Sequence, residues 1–372
     1  MKGLLSKIKG KLATFDSMLL FEVLLISVMG LVAVYSATYS FGSLTSILVQ
    51  TGAFAIGVII MMTLSRFDYE QFNLLTLPIF GASVFLLVLV LLIGTGADEV
   101  GAKSWIRFGP IGIQPAEIAK VGFIITFSYH LKKKEKSLNT FKTLVGLLVH
   151  VGIFLALIML QPDAGSAMVF CFIFAVLLFM AGLSWKIVVP VIAAGTMSIP
   201  FIYKFLLSPY QQYRIQVFLN PELDPLGKGY NVIQSKIAVG SGGLLGKGYL
   251  QGTQNQLGFL PAKHTDFIFS TFAEEFGFVG AILVVTLLVL IIIRCFVISA
   301  KSRNSFGKYI AAGVGAMLLF HTLENVGMCI GLMPVTGIPL PFFSYGGTSM
   351  LTNLTAIGLV LSVSRRNKML IR

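Results

Sequence analysis

The sequence contains very little charge. Asp, Glu, Lys and Arg together make up 12% of the 372 residues, whereas 56% are hydrophobic. A soluble globular domain of this composition would expose too much apolar surface to water, so that class of protein is excluded. Apolar runs of roughly 18 residues or more recur along the chain, which is typical of membrane-spanning helices. The composition therefore predicts an all-α polytopic membrane protein, with one membrane domain over residues 1–372.

Cysteine and histidine are also scarce. Cys171, Cys295 and Cys329 lie inside apolar runs without C-x-x-C spacing, which argues against a disulfide framework or a metal cluster. No second histidine or cysteine follows His264 at ligand spacing, so a zinc site is disfavoured. The stretch "GSGGLLGKG" is no ATP-binding phosphate loop, because Gly248 stands where Ser or Thr is required.

Hydropathy predicts ten spans, which lie at about Ser17–Ala37, Leu44–Leu64, Leu74–Thr95, Glu117–Leu131, Thr143–Leu160, Ala164–Leu183, Lys186–Leu207, Phe276–Ser299, Tyr309–Met333 and Ser349–Ser364. With ten spans, the basic stretches "MKGLLSKIKGK", "KKKEKSLNTFK", "KSRNSFGK" and "RRNKMLIR" fall on one side of the membrane. The positive-inside rule makes that side the cytoplasm and places both termini there. The net charge of +13 is thus assigned to topology and anionic lipid headgroups, and not to nucleic-acid binding.

Two long segments are then extracytoplasmic. They cover residues 96–116 and, between spans 7 and 8, residues 208–275. Connections of that length in a compact protein are usually functional or disordered, and the second contains too many aromatic and aliphatic residues for disorder. The polar chemistry of the chain is therefore expected on the outer face.

Some ionisable residues lie within or beside predicted spans. Glu117 and Lys120 are three residues apart on the fourth span, so they share one helix face and can pair. They are either a buried ion pair that fixes helix packing or the polar wall of a cavity that opens outward. Asp163 either caps the sixth span or belongs to the site. Glu274 and Glu275 are expected to cap the amino end of the eighth span.

Basic residues of the outer segments form a second group of candidates. They are Lys103 and Arg107 in "GAKSWIRFG", Arg214, Lys236, Lys247 and Lys263. Such residues either meet phospholipid phosphates or hold a pyrophosphate group.

Asp266 is the leading catalytic candidate. It lies in "FLPAKHTDFIFSTFAEEFG", two residues after His264 and directly before apolar Phe267. Desolvation at a membrane boundary raises the pKa of a carboxyl group, whereas a neighbouring lysine lowers it. An ionised carboxylate in this setting can accept a proton from a substrate hydroxyl, and the sequence therefore predicts a general base.

Four motifs resemble the SEDS family (shape, elongation, division and sporulation) in order along the chain. They are "GIQPAEIAK", "QPDAGSA", "IQSKIAVGSGGLLGKGYLQGTQNQLGFLPAKHTDFIFSTFAEEFG" and "MPVTGIPLPFFSYGGTSM". The "LQGTQNQLGFLP" stretch resembles the rod-shape branch, RodA, more than the division branch, FtsW. The resemblance implies a peptidoglycan glycosyltransferase of the bacterial plasma membrane that polymerises lipid II into β-1,4-linked glycan at the outer face during cell elongation. It also implies that Asp266, Glu117 and Lys120 are needed for activity.

The resemblance implies partners as well: lipid II, a class B penicillin-binding transpeptidase and other membrane proteins of the elongation complex. Candidate substrate-binding residues are Lys103, Trp105, Arg107, Asp163, Arg214, Lys236, Lys263 and His264. No organic cofactor is expected, and the use of a divalent cation, Mg²⁺ or Mn²⁺, stays open. The alternatives are a lipid II flippase, which suits intramembrane Glu117 and Lys120, a division-type polymerase, and a scaffold without chemistry of its own.

Overall fold

The structure is a computed structural model, and it describes residues 16–40, 42, 44–96, 103–109, 111–206, 209–225 and 227–369. Its helices are α1 (Ser17–Tyr39), α2 (Thr45–Leu64), α3 (Thr76–Ile93), α4 (Pro115–Lys134), α5 (Phe141–Met159), α6 (Ala164–Met180), α7 (Trp185–Phe201), α8 (Pro209–Leu219), α9 (Lys228–Ser241), α10 (Thr253–Gln256), α11 (Ile268–Ala300), α12 (Ser305–Cys329) and α13 (Gly347–Met369). Short 3-10 turns cover Tyr69–Asn73, Glu135–Ser137 and Pro221–Leu223, and a π turn covers Ile202–Leu206. The basic amino-terminal stretch "MKGLLSKIKGK", residues 1–11, lies outside the described residues.

The helices match the ten predicted spans. Seven of those in the described ranges are long and apolar enough to cross a membrane, namely α1, α2, α3, α5, α11, α12 and α13. Two others, α6 and α7, are apolar but shorter. The remaining one, α4, has the length of a span but carries Glu117, Lys120 and three lysines in its last turn. The prediction of an all-α polytopic membrane protein is confirmed.

The two segments predicted to be extracytoplasmic have structure of their own. In the first, β1 (Ile106–Phe108) and β2 (Ile111–Ile113) form an antiparallel hairpin in which Ile106 pairs with Ile113. The second contains α8, α9, α10 and the beginning of α11. Both segments therefore contain folded elements beside the spans.

The two carboxy-terminal spans lie at the centre of the bundle. About four-fifths of α12 and α13 is buried, compared with 17% to 28% of α2, α3 and α5. Close packing of α2 on α13 depends on two glycines, since a Cβ at Gly57 would lie 2.5 Å from Leu354 Cδ1 and one at Gly358 would lie 3.0 Å from the Met61 backbone. The peripheral helices present their apolar side chains to the lipid instead.

Helix α11 is broken at Gly277. The backbone there has φ 66° and ψ −165°, which is not helical and which only glycine adopts readily. Residues 268–276 therefore form a separate half-helix in front of the long span. The predicted start of this span, Phe276, lies one residue before the break.

The two ends of the bundle differ in chemistry. At one end, Arg366 Nη2 donates to Glu70 Oε2 at 2.8 Å, Asn304 Nδ2 donates to Glu70 Oε1 at 2.6 Å, and Ser305 Oγ donates to Glu135 at 2.8 Å. We call this the basic end, because it contains the lysine-rich loops. At about 1.5 Å per residue, the 25 residues of α12 place Cys329 about 37 Å away, near Asp266.

Candidate active site

The backbone around Asp266 is fixed by one asparagine. The Asp266 carbonyl accepts a hydrogen bond from Asn325 Nδ2 at 2.9 Å, and the same amide donates to the Ile338 carbonyl at 2.8 Å. A Cβ at Gly337 would lie 3.8 Å from Asp266 Oδ2. Within the described ranges, neither a hydrogen bond nor an ion pair reaches the Asp266 carboxylate. The residue is therefore held by its backbone, and its carboxylate is left available.

Burial raises the pKa of the Asp266 carboxyl to about 6. Since no cation pairs with it, desolvation is the whole cause of that shift. A carboxyl with a pKa close to neutrality is a better proton acceptor than an ordinary aspartate, and it is still ionised at pH 7. The site thus has the electrostatics of a general base.

Lys263 stabilises the loop that carries Asp266. Its side chain is 2% exposed, and its ammonium donates to Ser40 Oγ at 2.6 Å and to the Asn255 carbonyl at 2.5 Å. Burial lowers the pKa of this lysine. The contacts tie the loop to the end of α1 and to α10, which is a structural role that the sequence did not predict.

His264 joins the same loop to the segment before α13. Its carbonyl accepts a hydrogen bond from the Tyr345 amide at 2.9 Å, and the two rings lie 5.4 Å apart between centroids. Burial, with the nearby charge of Lys263, lowers the pKa of the imidazole. His264 is therefore neutral at physiological pH and sits directly beside the Asp266 turn.

The segment of residues 334–346 forms the wall opposite Asp266. Thr336 Oγ1 donates to Glu324 Oε1 at 2.8 Å, and the Leu340 amide donates to Ser344 Oγ at 2.8 Å. Gln50 of α2 donates to the Ser344 carbonyl at 3.0 Å. Sequence reasoning used this segment only for the family resemblance. A series of polar residues at one end of α12, above all Asn325, could have indicated these contacts, but the sequence analysis did not use it.

Glu117 and Lys120 form a buried ion pair of 2.7 Å. Lys120 Nζ also lies 2.9 Å from His321 Nε2, and all three side chains are almost completely buried. Glu117 Oε2 and His321 Nδ1 have no hydrogen-bond partner within the described residues. Because His321 precedes Asn325 by one helical turn of α12, this Glu117–Lys120–His321 cluster is connected to the Asp266 loop through a single helix. His321 was missed by sequence reasoning.

Asp163 caps helix α6. Its carboxylate accepts from the Ser166 amide at 2.9 Å and from Ser166 Oγ at 2.8 Å, and Gln114 Nε2 lies 3.4 Å from it. The backbone N–H of Gln114 donates to Thr348 Oγ1 at 3.3 Å. The starts of α4, α6 and α13 are thereby joined at the Asp266 end, and a contact of Asp163 with substrate stays a prediction.

The predicted outer cations are spread over three elements. Arg107 is exposed on β1, and Lys103 is exposed just before it, near Trp105, which pairs with Thr95. Lys236 is exposed on α9, and its side chain lies over Gly331 at the end of α12. Arg214 lies on α8, and its side chain is outside the described part of the structure. No hydrogen bond among the described residues links these side chains to Asp266, and their role in binding substrate stays a prediction.

Glu274 and Glu275 do not have the role that the sequence predicts for them. Glu274 accepts from the Gln254 and Asn255 amides at 2.9 and 3.2 Å and from Lys247 Nζ at 2.8 Å, so it caps α10. Glu275 accepts from Asn255 Nδ2 at 3.0 Å. The predicted capping of the eighth span was wrong, because α11 begins at Ile268 and both glutamates lie inside its first half.

No set of metal ligands is found in the described ranges, where no three His, Cys, Asp or Glu side chains come together. The use of a divalent cation stays a prediction.

A polytopic helical protein with a desolvated aspartate beside its spans, unpaired among the described residues, has the features expected of a membrane-embedded enzyme. The family model described as "Cell cycle protein", which covers FtsW, RodA and SpoVE, matches residues 16–369. The chain belongs to this family, and the predicted resemblance is confirmed.

Curated relatives agree with this result. The chain is 36% identical over 329 residues to the peptidoglycan glycosyltransferase MrdB of Escherichia coli strain K12, with 86% of each chain covered. It is 34% identical to the peptidoglycan glycosyltransferase RodA of Treponema pallidum, with 97% of this chain and 99% of the relative covered. A probable peptidoglycan glycosyltransferase FtsW of Trichlorobacter lovleyi is 34% identical, with coverages of 95% and 94%.

Solved structures share the fold. A chain from a peptidoglycan synthase complex, in a study of how polymerization and crosslinking are coordinated, matches with a TM-score of 0.82 and 33% identity, over 95% of this chain and 98% of that one. The rod shape determining protein RodA of Thermus thermophilus matches with a TM-score of 0.68 and 28% identity, over 95% and 97%.

Proposed function

We propose that this chain is a peptidoglycan glycosyltransferase that joins lipid-linked disaccharide units, lipid II, into β-1,4-linked glycan, with Asp266 as its general base. The class of enzyme follows from the family and from relatives that carry this activity in their names. The observation that carries the proposal is the Asp266 carboxylate, which is desolvated, unpaired within the described residues and held in place by its backbone. RodA relatives and structures support a role in cell elongation.

The reaction is a single displacement. The 4-hydroxyl of the acceptor N-acetylglucosamine attacks the anomeric carbon of the donor N-acetylmuramic acid, and Asp266 takes the hydroxyl proton as the new C–O bond forms. The bond from the anomeric carbon to the pyrophosphate oxygen breaks, and its electron pair leaves with the lipid pyrophosphate. An α-linked donor gives a β-linked product by inversion, so one carboxylate is sufficient.

The leaving pyrophosphate needs positive charge around it. Lys103, Arg107 and Lys236 are exposed at the Asp266 end and are the candidates for that role. Lys263 is less suited, because its ammonium already donates hydrogen bonds to Ser40 and to the Asn255 carbonyl. Lys120 of the Glu117–Lys120–His321 cluster acts at a distance, by fixing the helix that holds the Asp266 turn.

A bacterial plasma membrane is the proposed location, with Asp266 on the outer face. The lysine-rich loops gather at the opposite end, which supports this orientation through the positive-inside rule. A class B penicillin-binding transpeptidase is the proposed partner, because a structural neighbour belongs to a complex that coordinates polymerization and crosslinking.

Polymerisation of purified lipid II by the wild-type chain, Asp266→Asn and Glu222→Gln tests this function. Glu222 is an exposed carboxylate of the same outer segment, which makes it a matched control. We expect polymer from wild type and Glu222→Gln, and a loss of about 100-fold or more for Asp266→Asn. Each protein is assayed with a cognate transpeptidase. Equal polymer from all three would remove Asp266 from catalysis, and transfer of lipid II across vesicles without polymer would favour the flippase.

A further inference from the structure

A cavity lies near the basic end, away from Asp266. It has a volume of about 600 Å³ and lies between the start of α3, the end of α4 and the middle of α5. Phe80, His130 and His150 are among its lining residues. His150 is ten residues into α5, so the cavity reaches about 14 Å into the span at about 1.5 Å per residue. Neither the proposed reaction nor the comparisons give this cavity a role.

One wall of the cavity faces hydrocarbon. Leu74 and Leu77 line it and are 87% and 79% exposed, so they lie on the lipid side of the bundle and not in its core. Phe80 continues this wall inward, and its ring packs edge-on against His150 with 5.1 Å between centroids. Lipid can therefore enter sideways, and the apolar wall suits an acyl chain.

The other wall is polar and cationic. Lys133 Nζ lies 4.7 Å from the centre of the Tyr129 ring, and His130 Nδ1 lies 3.1 Å from His150 Nδ1. His150 Nε2 lies 3.2 Å from Thr126 Oγ1, which fixes the orientation of both rings. The described lining contains no acidic side chain to neutralise Lys133. This wall suits an anion.

The position of the polar wall selects the type of anion. Lys132, Lys133 and Lys134 form the last turn of α4, and lysine and tyrosine at the end of a span mark the level of lipid headgroups. A free phosphate would leave the apolar wall and most of the volume unused. A molecule with an anionic head and an apolar tail uses both walls.

We propose that this cavity binds one anionic phospholipid of the adjoining leaflet, with its phosphate at Lys133 and its acyl chain along Leu74, Leu77 and Phe80. The site is independent of lipid II polymerisation and lies at the other end of the bundle. Its ligand would contact α3, α4 and α5, of which α3 and α5 are only lightly buried by protein.

Lipid retention by the purified full-length chain tests the proposal. Phosphatidylglycerol or phosphatidylcholine is titrated against the protein in neutral detergent, and bound lipids are counted by native mass spectrometry. We expect one strongly retained phosphatidylglycerol for each wild-type chain, and about tenfold weaker retention for Lys133→Gln, as for the loss of a hydrogen bond to a charged group. Leu77→Trp, which fills the cavity, should lose the lipid altogether.

Lys136→Gln is the matched control, because Lys136 is an exposed lysine of the same basic loop that does not line the cavity. Its retention should stay within about twofold of wild type, as is usual for a surface substitution. Equal loss in Lys133→Gln and Lys136→Gln would show general adsorption to a basic surface and overturn the site. Equal retention of both lipids, or an unaffected Leu77→Trp, would do the same. Lys133 and Leu77 are exposed, so the variants should fold.

Discussion

At the scale of single residues, the environment of Asp266 makes its carboxylate a better base and lowers the stability of the folded protein. The same desolvation that makes its carboxylate a better base makes the ionised form unfavourable in the folded protein. Asn325 holds the turn by two carbonyl hydrogen bonds and so maintains this arrangement. The pH dependence of activity and of stability should therefore both depend on this one group.

The rate of polymerisation should rise with pH through about 6 and level off above it. In the proposed reaction only the deprotonated Asp266 can accept the proton, and its pKa is raised to about 6. Initial rates between about pH 5 and 8 at constant ionic strength measure this profile. Glu222→Gln should show the same rise of rate with pH, since the proposed reaction gives Glu222 no part. A rate that stays constant over this range would contradict the role of Asp266.

Asp266→Asn should be more stable than wild type at neutral pH while it is inactive. The folded pKa lies above the unfolded value of 3.8, so the cost of ionisation is full above about pH 6 and absent below 3.8. A shift of this size corresponds to about 3 kcal/mol at most. Thermal unfolding in detergent at about pH 7.5 and 4.5 should show a higher Tm for the variant at the first pH and a smaller difference at the second. A lower Tm at both would mean that the loss of activity reflects misfolding.

Lys120→Met should destabilise the chain by about 3–5 kcal/mol, because it leaves Glu117 charged and buried without its partner. The double variant Glu117→Gln with Lys120→Met removes both charges and should recover most of the loss. Thermal unfolding of the two single variants and the double variant gives the coupling between the side chains. Additive losses would show that the ion pair contributes nothing specific.

At the scale of elements, the break in α11 separates the residues around the site from the span. Residues 268–276 pack against the loop of residues 242–248, whose Lys247 and Gly248 amides donate to the carbonyls of Glu274 and Glu275 at 3.0 Å. The Phe278 amide donates to the Gly243 carbonyl at 2.9 Å. These hydrogen bonds anchor the half-helix to the loop of residues 242–248.

Gly277→Ala should destabilise this anchor by about 1–3 kcal/mol, which is the usual cost of a strained backbone conformation. The residue has φ 66° and ψ −165°, and a Cβ would lie 2.6 Å from the Leu244 carbonyl oxygen. Gly52→Ala in α2 is the control, because no atom lies within 4 Å of its Cβ position. That substitution should be neutral or stabilise by up to about 1 kcal/mol. Equal Tm values for the two variants would contradict the strain at Gly277.

The helix pattern was predictable, whereas the contacts of the site were not. Long apolar runs define the spans, and the spacing of Glu117 and Lys120 places both on one face. The start of α11 was missed because Glu274 and Glu275 interrupt its apolar pattern, although both are satisfied by other elements. The role of Lys263 depends on Ser40, which is 223 residues away in sequence. Partners that the chain brings together only on folding leave no local pattern.

At the scale of the whole molecule, orientation determines whether the mechanism is possible, since the acceptor glycan is outside the cell. We expect Glu222→Cys to be labelled by a membrane-impermeant maleimide on intact cells and Lys136→Cys only after permeabilisation. The parent chain controls for Cys171, Cys295 and Cys329. The opposite pattern would place Asp266 in the cytoplasm and exclude polymerisation at the outer face.

The burial of the last two helices has a consequence for how the protein is made. Glu324, His321 and Asn353 are buried in α12 and α13, where the earlier helices shield them from lipid. The ribosome completes α1 to α3, which are strongly apolar and enter a bilayer readily, long before α12 and α13 emerge. These two weakly apolar segments thus arrive when their binding partners are already in place. Synthesis in the reverse order would expose polar helices to lipid, so the direction of translation suits the assembly of this bundle.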